Sequence, residues 1–240
     1  MERLVLVHGS VVGGAATWRS QQTLAGRFEL VVLERPGFPP NPPVARADFE
    51  SDAELVAGRL EPGDHLVGHS YGGVIALLAA ALRPDAVRSL TVVEPPATSV
   101  APHHPAVASF AAGAADLWEH GPRDDPETFL AMFLVAVGSD FHPPSPLPPD
   151  LEQGARTLIG ERPPTEAIIP FDTLAAAAFP KLVVSGAHHP AFDAICDVLE
   201  RELPAERVVL RGNGHSVQRH PEFNAVLAEF VERAAPTVRS

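Results

Sequence analysis

Short runs of Val and Leu recur along this chain, and most are followed by a stretch with helical spacing. That alternation constrains the fold more than any other feature, because it marks βα units laid on a parallel sheet. Strands are predicted at Arg3–Val7, Leu30–Leu33, His65–Val67, Leu90–Val93, Leu182–Ser185 and Val208–Leu210. Each is an almost unbroken apolar run, as expected of a strand buried on both faces. Helices are predicted at Thr17–Leu24, Asp52–Leu60, Gly72–Leu82, Ala191–Glu202 and Pro221–Ala234. The last begins near a proline and carries Phe223, Val226, Leu227 and Phe230 at helical spacing. The fold class is therefore α/β, a mostly parallel sheet of about six strands flanked by helices.

The rhythm breaks between about Thr98 and Phe179. Prolines cluster there (Pro143-Pro144, Pro148-Pro149, Pro163-Pro164), and helical patches such as Thr128–Val137 replace strands. An insertion that long is no plain loop. The predicted organisation is a core of residues 1–97 and 180–240 with a helical cap over 98–179. Pro36–Pro43 reads as a rigid loop after the second strand.

A formal charge of −12 argues against nucleic-acid partners, which require clustered Lys and Arg. No run reaches the roughly 18 apolar residues of a membrane span. Met1-Glu2-Arg3 leads into Leu4-Val5-Leu6-Val7, which is too short for the apolar region of a secretory signal and ends in His-Gly, so no signal is expected there. The single cysteine, Cys196, rules out an internal disulfide and fits a reducing, cytoplasmic setting.

The chemistry is concentrated at the predicted strand ends. Gly68-His69-Ser70-Tyr71-Gly72 lies between a strand and a helix, a G-x-S-x-G at a sharp corner. Such a corner holds the serine hydroxyl clear of the backbone, and its glycines let neighbouring elements approach. Ser70 is the candidate nucleophile. Among eleven histidines, His215 is the candidate base, since it follows a Gly-rich turn after the last strand. His69 is expected to pack behind the corner. A developing oxyanion needs donors, and the Tyr71 backbone N–H at the helix start is one. Ser10, in His8-Gly9-Ser10 after the first strand, supplies the second candidate N–H. Gly9 and Gly13-Gly14 would let that loop approach a substrate.

With these motifs in place, the chain resembles the α/β-hydrolases over essentially its whole length. It is similar to compact members that begin at the His-Gly strand, such as plant methyl-ester esterases and hydroxynitrile lyases. The resemblance implies a Ser–His–acid triad beneath a cap. The family's usual aspartate is missing: Ser185-Gly186-Ala187-His188-His189-Pro190 has His189 where it would stand. A minority of the family, including zearalenone-lactone hydrolases, carries a glutamate after the strand that follows the nucleophile helix. Here that place holds Val93-Glu94-Pro95, so Glu94 is the candidate acid. Asp193 and Asp197 stay open as alternatives.

The serine excludes the dehalogenase and epoxide-hydrolase branches, which use aspartate. Gly9 and Ser216 replace the Thr and Lys that hydroxynitrile lyases carry at those places. The implied reaction is hydrolysis of a carboxylic ester or lactone of a small, largely apolar substrate, with no cofactor. The same triad could open a thioester or a C–C bond, or the chain could be a non-catalytic binding relative. Adjacent pairs such as His103-His104 and His188-His189 do not converge on one ion, so no metal is expected. Glu34-Arg35 reads as a structural ion pair, and Arg201–Arg207 as solvated surface. Phe110, Leu117, Trp118, Phe129, Met132, Phe133 and Phe141 are the aromatic and aliphatic candidates for the cap's pocket or its own core.

Overall fold

A computed structural model describes residues 1–234; the last six residues of the second core segment lie outside it. The strands are β1 (Arg3–Val7), β2 (Glu29–Leu33), β3 (Asp64–His69), β4 (Val87–Val93), β5 (Lys181–Ser185) and β6 (Glu206–Val209). They form one parallel sheet in the order β2-β1-β3-β4-β5-β6. This is the predicted α/β class. The chain reverses its direction of travel across the sheet at β1, which puts the clefts beside β1 and β3 at a topological switch.

Burial follows position in the sheet rather than the apolar runs alone. β3 and β5 are buried throughout. β2 and β6 are the outer strands, and most of their residues are only half-buried or exposed. Burial on both faces therefore fails for these two, because each has a neighbour on one side only.

Helices cover both faces. α2 (Phe49–Ala57), α3 (Tyr71–Leu82) and α8 (Pro190–Glu202) pack on one face through Phe49, Val56, Ile75, Ile195 and Leu199. α9 (Phe223–Ala234) and Trp18 cover the other, with Phe223, Leu227 and Phe230 against β-strand Leu and Val side chains. The predicted helix over Thr17–Leu24 is instead α1 (Gly14–Thr17) followed by a 3₁₀ segment, Arg19–Leu24. α2 starts three residues before the predicted Asp52, because the Asp48 carboxylate accepts the Glu50 N–H and caps the helix.

Between β4 and β5 the described residues add no strand to the sheet. α4 (Pro105–His120), α5 (Pro126–Ala136), α6 (Pro149–Ile159) and α7 (Phe171–Ala176) fill this segment. Phe129, Leu130, Leu134, Leu151 and Leu158 form a separate apolar cluster within it, to which Val11 of the β1–α1 loop contributes. No helix among the described residues is long and apolar enough to cross a membrane.

Candidate active site

Parallel register brings the strand ends to one edge. His69 pairs with Val93, so Ser70 and Glu94 leave adjacent strands side by side. The Ser70 N–H donates to Val93 O at 2.8 Å, and the Glu94 N–H to Val184 O at 3.0 Å. Ser70 then turns sharply into α3 with φ 55° and ψ −126°. That conformation costs an L-residue of order 1–3 kcal/mol and survives only where its surroundings enforce it. Here they do. A Cβ on Gly68 would lie 2.2 Å from Gly72 O, and one on Gly72 would lie 2.4 Å from His8 O. The corner therefore closes only with glycine at both places.

Around this corner three side chains form a continuous hydrogen-bonded chain. His215 Nε2 lies 2.9 Å from Ser70 Oγ, and His215 Nδ1 lies 2.8 Å from Glu94 Oε2. Glu94 is fully buried, with φ 45°. Its other oxygen, Oε1, accepts the Gly186 N–H at 2.7 Å and stands 3.1 Å from His188 Nδ1. Burial alone would push the Glu94 carboxyl up; His188 and His215 outweigh it and hold the group down at about 2. Glu94 is thus an anion held against the His215 ring.

The other acids are occupied elsewhere. Asp193 accepts the Ser185 hydroxyl at 3.0 Å and, like Asp197, faces Arg207. Neither hydrogen-bonds His215. Arg207 is therefore not solvated surface: its side chain is 11% exposed and sits among three carboxylates, including Glu200. Arg201, by contrast, is solvated.

His69 lies beside His215, with ring centroids 5.1 Å apart, and its Nε2 donates to His215 O at 2.9 Å. Burial and the neighbouring His215 push His69 down to about 3, so it is a neutral donor.

The Ser10 and Tyr71 N–H groups donate to no backbone carbonyl among the described residues. Both residues line the cavity that Ser70 faces. Gly9 packs against the serine. Gly13 and Gly14 do not face the cavity: a Cβ on either would strike Glu34 or the end of β2, so they let the loop close on that strand instead. Glu34 accepts the Gly14 and Ala15 N–H groups and does not pair with Arg35. Arg35 instead reaches Asp52 at 2.8 Å, Glu161 at 3.0 Å and Gly9 O at 2.8 Å, all buried. Glu161 also accepts the Ser10 hydroxyl. Burial pushes the Glu161 carboxyl up while Arg35 pulls it down, so the network braces the loop that carries Ser10.

Two cavities meet at Ser70. One is apolar and lined by Phe110, Leu117, Trp118, Phe133 and Phe192. The other runs past His215 to Thr17, Ser139, Gln218 and Arg219. Phe141 lines only the second. Phe129 lines neither and belongs to the local core, while Met132 points to solvent. Phe192, whose ring centroid lies 4.6 Å from that of His215, carried no motif in the sequence. It lies two residues past Pro190 on the inner face of an amphipathic helix, the one signal that could have marked it.

The donor atoms of Glu94, His188 and His215 lie within 4.8 Å of one another. The residues are distant in sequence, so chain spacing gave no hint of this cluster. Glu94 Oε2 and His215 Nδ1 already bond each other, so an ion there would have to break that hydrogen bond.

A family model described as the alpha/beta hydrolase family matches residues 4–225. The chain is 33% identical over 140 residues to a pimeloyl-[acyl-carrier protein] methyl ester esterase of Chromobacterium violaceum, a match covering 57% of this chain and 55% of that protein. The match thus spans about half the length of that curated relative. Among solved structures, a thermophilic esterase from Thermogutta terrifontis superposes with TM-score 0.65 at 22% identity, covering 98% of this chain and 91% of the other. Est816, described as an N-acyl homoserine lactone degrading enzyme, gives TM-score 0.63 at 23% identity, covering 96% and 93%.

Proposed function

This chain belongs to the alpha/beta hydrolase family, and on that footing we propose that it hydrolyses a carboxylic ester or lactone through an acyl-enzyme on Ser70. The observation that carries the reading is the unbroken Ser70–His215–Glu94 chain, with contacts of 2.9 and 2.8 Å, at a serine with φ 55°.

Ser70 Oγ attacks the carbonyl carbon while His215 Nε2 takes its proton. Glu94, already ionised, stabilises the imidazolium that forms. The carbonyl oxygen becomes an oxyanion within reach of the free Tyr71 and Ser10 N–H groups. Collapse of the tetrahedral intermediate expels the alcohol, which receives the proton from His215. Water then enters, loses a proton to His215, and releases the acid and Ser70. Every proton taken is returned, and no cofactor is required.

The two cavities suggest which part of the substrate goes where. A leaving alcohol must lie within reach of His215, and His215 lines only the second cavity. The acyl chain therefore occupies the apolar cavity, whose aromatic and aliphatic lining suits an apolar acyl group. Helices α4 and α5 supply Phe110, Ala114, Leu117, Trp118, Phe133 and Ala136 to that wall, so residues 98–179 act as a cap that sets acyl selectivity. The deeply buried Cys196 is compatible with a cytoplasmic setting.

Turnover of short p-nitrophenyl esters tests the reading. The Ser70→Ala variant is expected to lose roughly 10⁴–10⁶-fold in kcat with its fold intact. Wild-type rates from that variant would contradict the proposal. Saturable binding without turnover by the unsubstituted protein would favour a non-catalytic relative.

A further inference from the structure

We propose that His188 is a positioning residue for Glu94, a second imidazole that holds the acid from the side opposite His215 and ties it to the end of α5. The inference rests on the proposed function above. Four observations carry it, and none depends on the others.

First, Glu94 lies between two rings: His215 Nδ1 is 2.8 Å from Oε2, and His188 Nδ1 is 3.1 Å from Oε1. The second contact is an ion-pair approach without hydrogen-bond alignment. Second, the far nitrogen of His188 reaches out of the core: Nε2 lies 3.1 Å from Val137 O, just past α5. Val137 itself lines both cavities. Third, the chain makes room for this ring. Gly138 has φ +64°, and a Cβ there would stand 3.0 Å from His188 Cδ2. Fourth, His188 stacks on Phe192 with centroids 5.8 Å apart and planes 21° apart, and Phe192 in turn packs on His215.

The protonation of the ring follows from its partners. A carbonyl oxygen faces one nitrogen and a carboxylate the other, and only the imidazolium offers N–H on both sides. Burial opposes the charge; Glu94 raises it above the ordinary histidine range. The titratable groups around the ring are Glu94 from the end of β4, His215 from the loop after β6, His189 beside it, and Asp193 from α8. The segment after α5 presents the Val137 carbonyl; its carboxylate Asp140 lies against Gly214.

This arrangement has a functional consequence. The His188 and His215 ring centroids stand 5.8 Å apart, so a cation on His188 bears on the charge that His215 takes up during turnover. The contact also makes the geometry of the acid depend on the seating of residues 137–138. Where the family's usual aspartate would stand, this chain has a histidine pair with divided roles: His189 Nδ1 accepts the Ala191 N–H and caps α8, and His188 faces Glu94.

The test is the pH profile of kcat/KM for a p-nitrophenyl ester in the wild type, His188→Gln and His188→Phe. Phe keeps the stacking on Phe192 but carries no charge. Both variants are expected to move the acidic limb upward by roughly half to one pH unit, and to lower kcat about tenfold with KM little changed. An unmoved limb in both variants, or a wild-type profile in His188→Phe, would overturn the proposal and leave the ring as wall packing. Ring ¹⁵N shifts of His188 in the unsubstituted protein give a readout independent of variant folding. Both nitrogens are expected to be protonated at pH 7, and a neutral ring there would equally overturn it. Fluorophosphonate labelling of Ser70 in parallel separates failure of this inference from failure of the serine-hydrolase reading itself.

Discussion

Gly9 stands so close to Ser70 that a methyl group on it would lie 2.9 Å from the Ser70 Cβ and 3.4 Å from its Oγ. His69 O blocks the other side at 3.0 Å, so the added group has nowhere to go. The loop after β1 and the corner after β3 are thus fitted to each other at Ser70. Gly9→Ala is expected to displace Ser70 or the Ser10 loop and lower kcat/KM by about 10²-fold. Steady-state kinetics beside a thermal melt check this: a melt near wild type with collapsed activity supports the fit.

The acid can be assigned by comparing two carboxylates. On the proposed mechanism, Glu94→Gln is expected to lower kcat by about 10³–10⁴-fold, because His215 loses its anionic partner. Asp193→Asn is expected to stay within a few-fold of wild type, since Asp193 faces Ser185 and Arg207 instead. A reversed order of these two variants would move the acid role to α8.

Stability should fall in acid partly through Glu94. Its folded-state pKa, about 2, lies below its ordinary value of 4.5. The stabilisation is therefore complete above about pH 4.5 and drains away as pH falls toward 2, in total on the order of 3 kcal/mol. Urea denaturation of wild type and Glu94→Gln should show a gap at pH 6 that narrows at pH 3. A gap that widened in acid would contradict this sign.

Arg35 lies buried against Asp52 and Glu161. Arg35→Met would leave two carboxylates buried without their cation, at a cost of about 3–5 kcal/mol. Because Glu161 also accepts the Ser10 hydroxyl, activity is expected to fall further than the lost fraction of folded protein explains. Chemical denaturation and active-site titration together separate the two effects.

Acyl selectivity should follow the apolar cavity. Ala114 lines it, and Ala114→Phe is expected to lower kcat/KM for octanoyl esters about tenfold while sparing acetyl esters. An equal loss for both chain lengths would mean that the acyl group lies elsewhere.

Much of this was legible because the relevant signals were local. Val/Leu runs located every strand, and glycines around Ser70 announced a corner that the backbone does need. What escaped depended on partners far away in sequence. Arg35 sits next to Glu34 yet pairs with Glu161, which is 126 positions distant. The exposure of β2 and β6 reflects their place at the sheet's margins, which a run of Val does not reveal. Gly13 and Gly14 looked like loop freedom facing a substrate, but they serve the approach to β2. His188 looked like half of an inert pair because its partner, Glu94, arrives from another strand.

Reaction with a fluorophosphonate followed by peptide mass mapping tests the central claim most directly. The account predicts one stoichiometric adduct, on Ser70, that is lost in Ser70→Ala and slowed in His215→Ala. Adduct on another residue, or an unmodified folded protein under conditions that label a serine esterase fully, would contradict it.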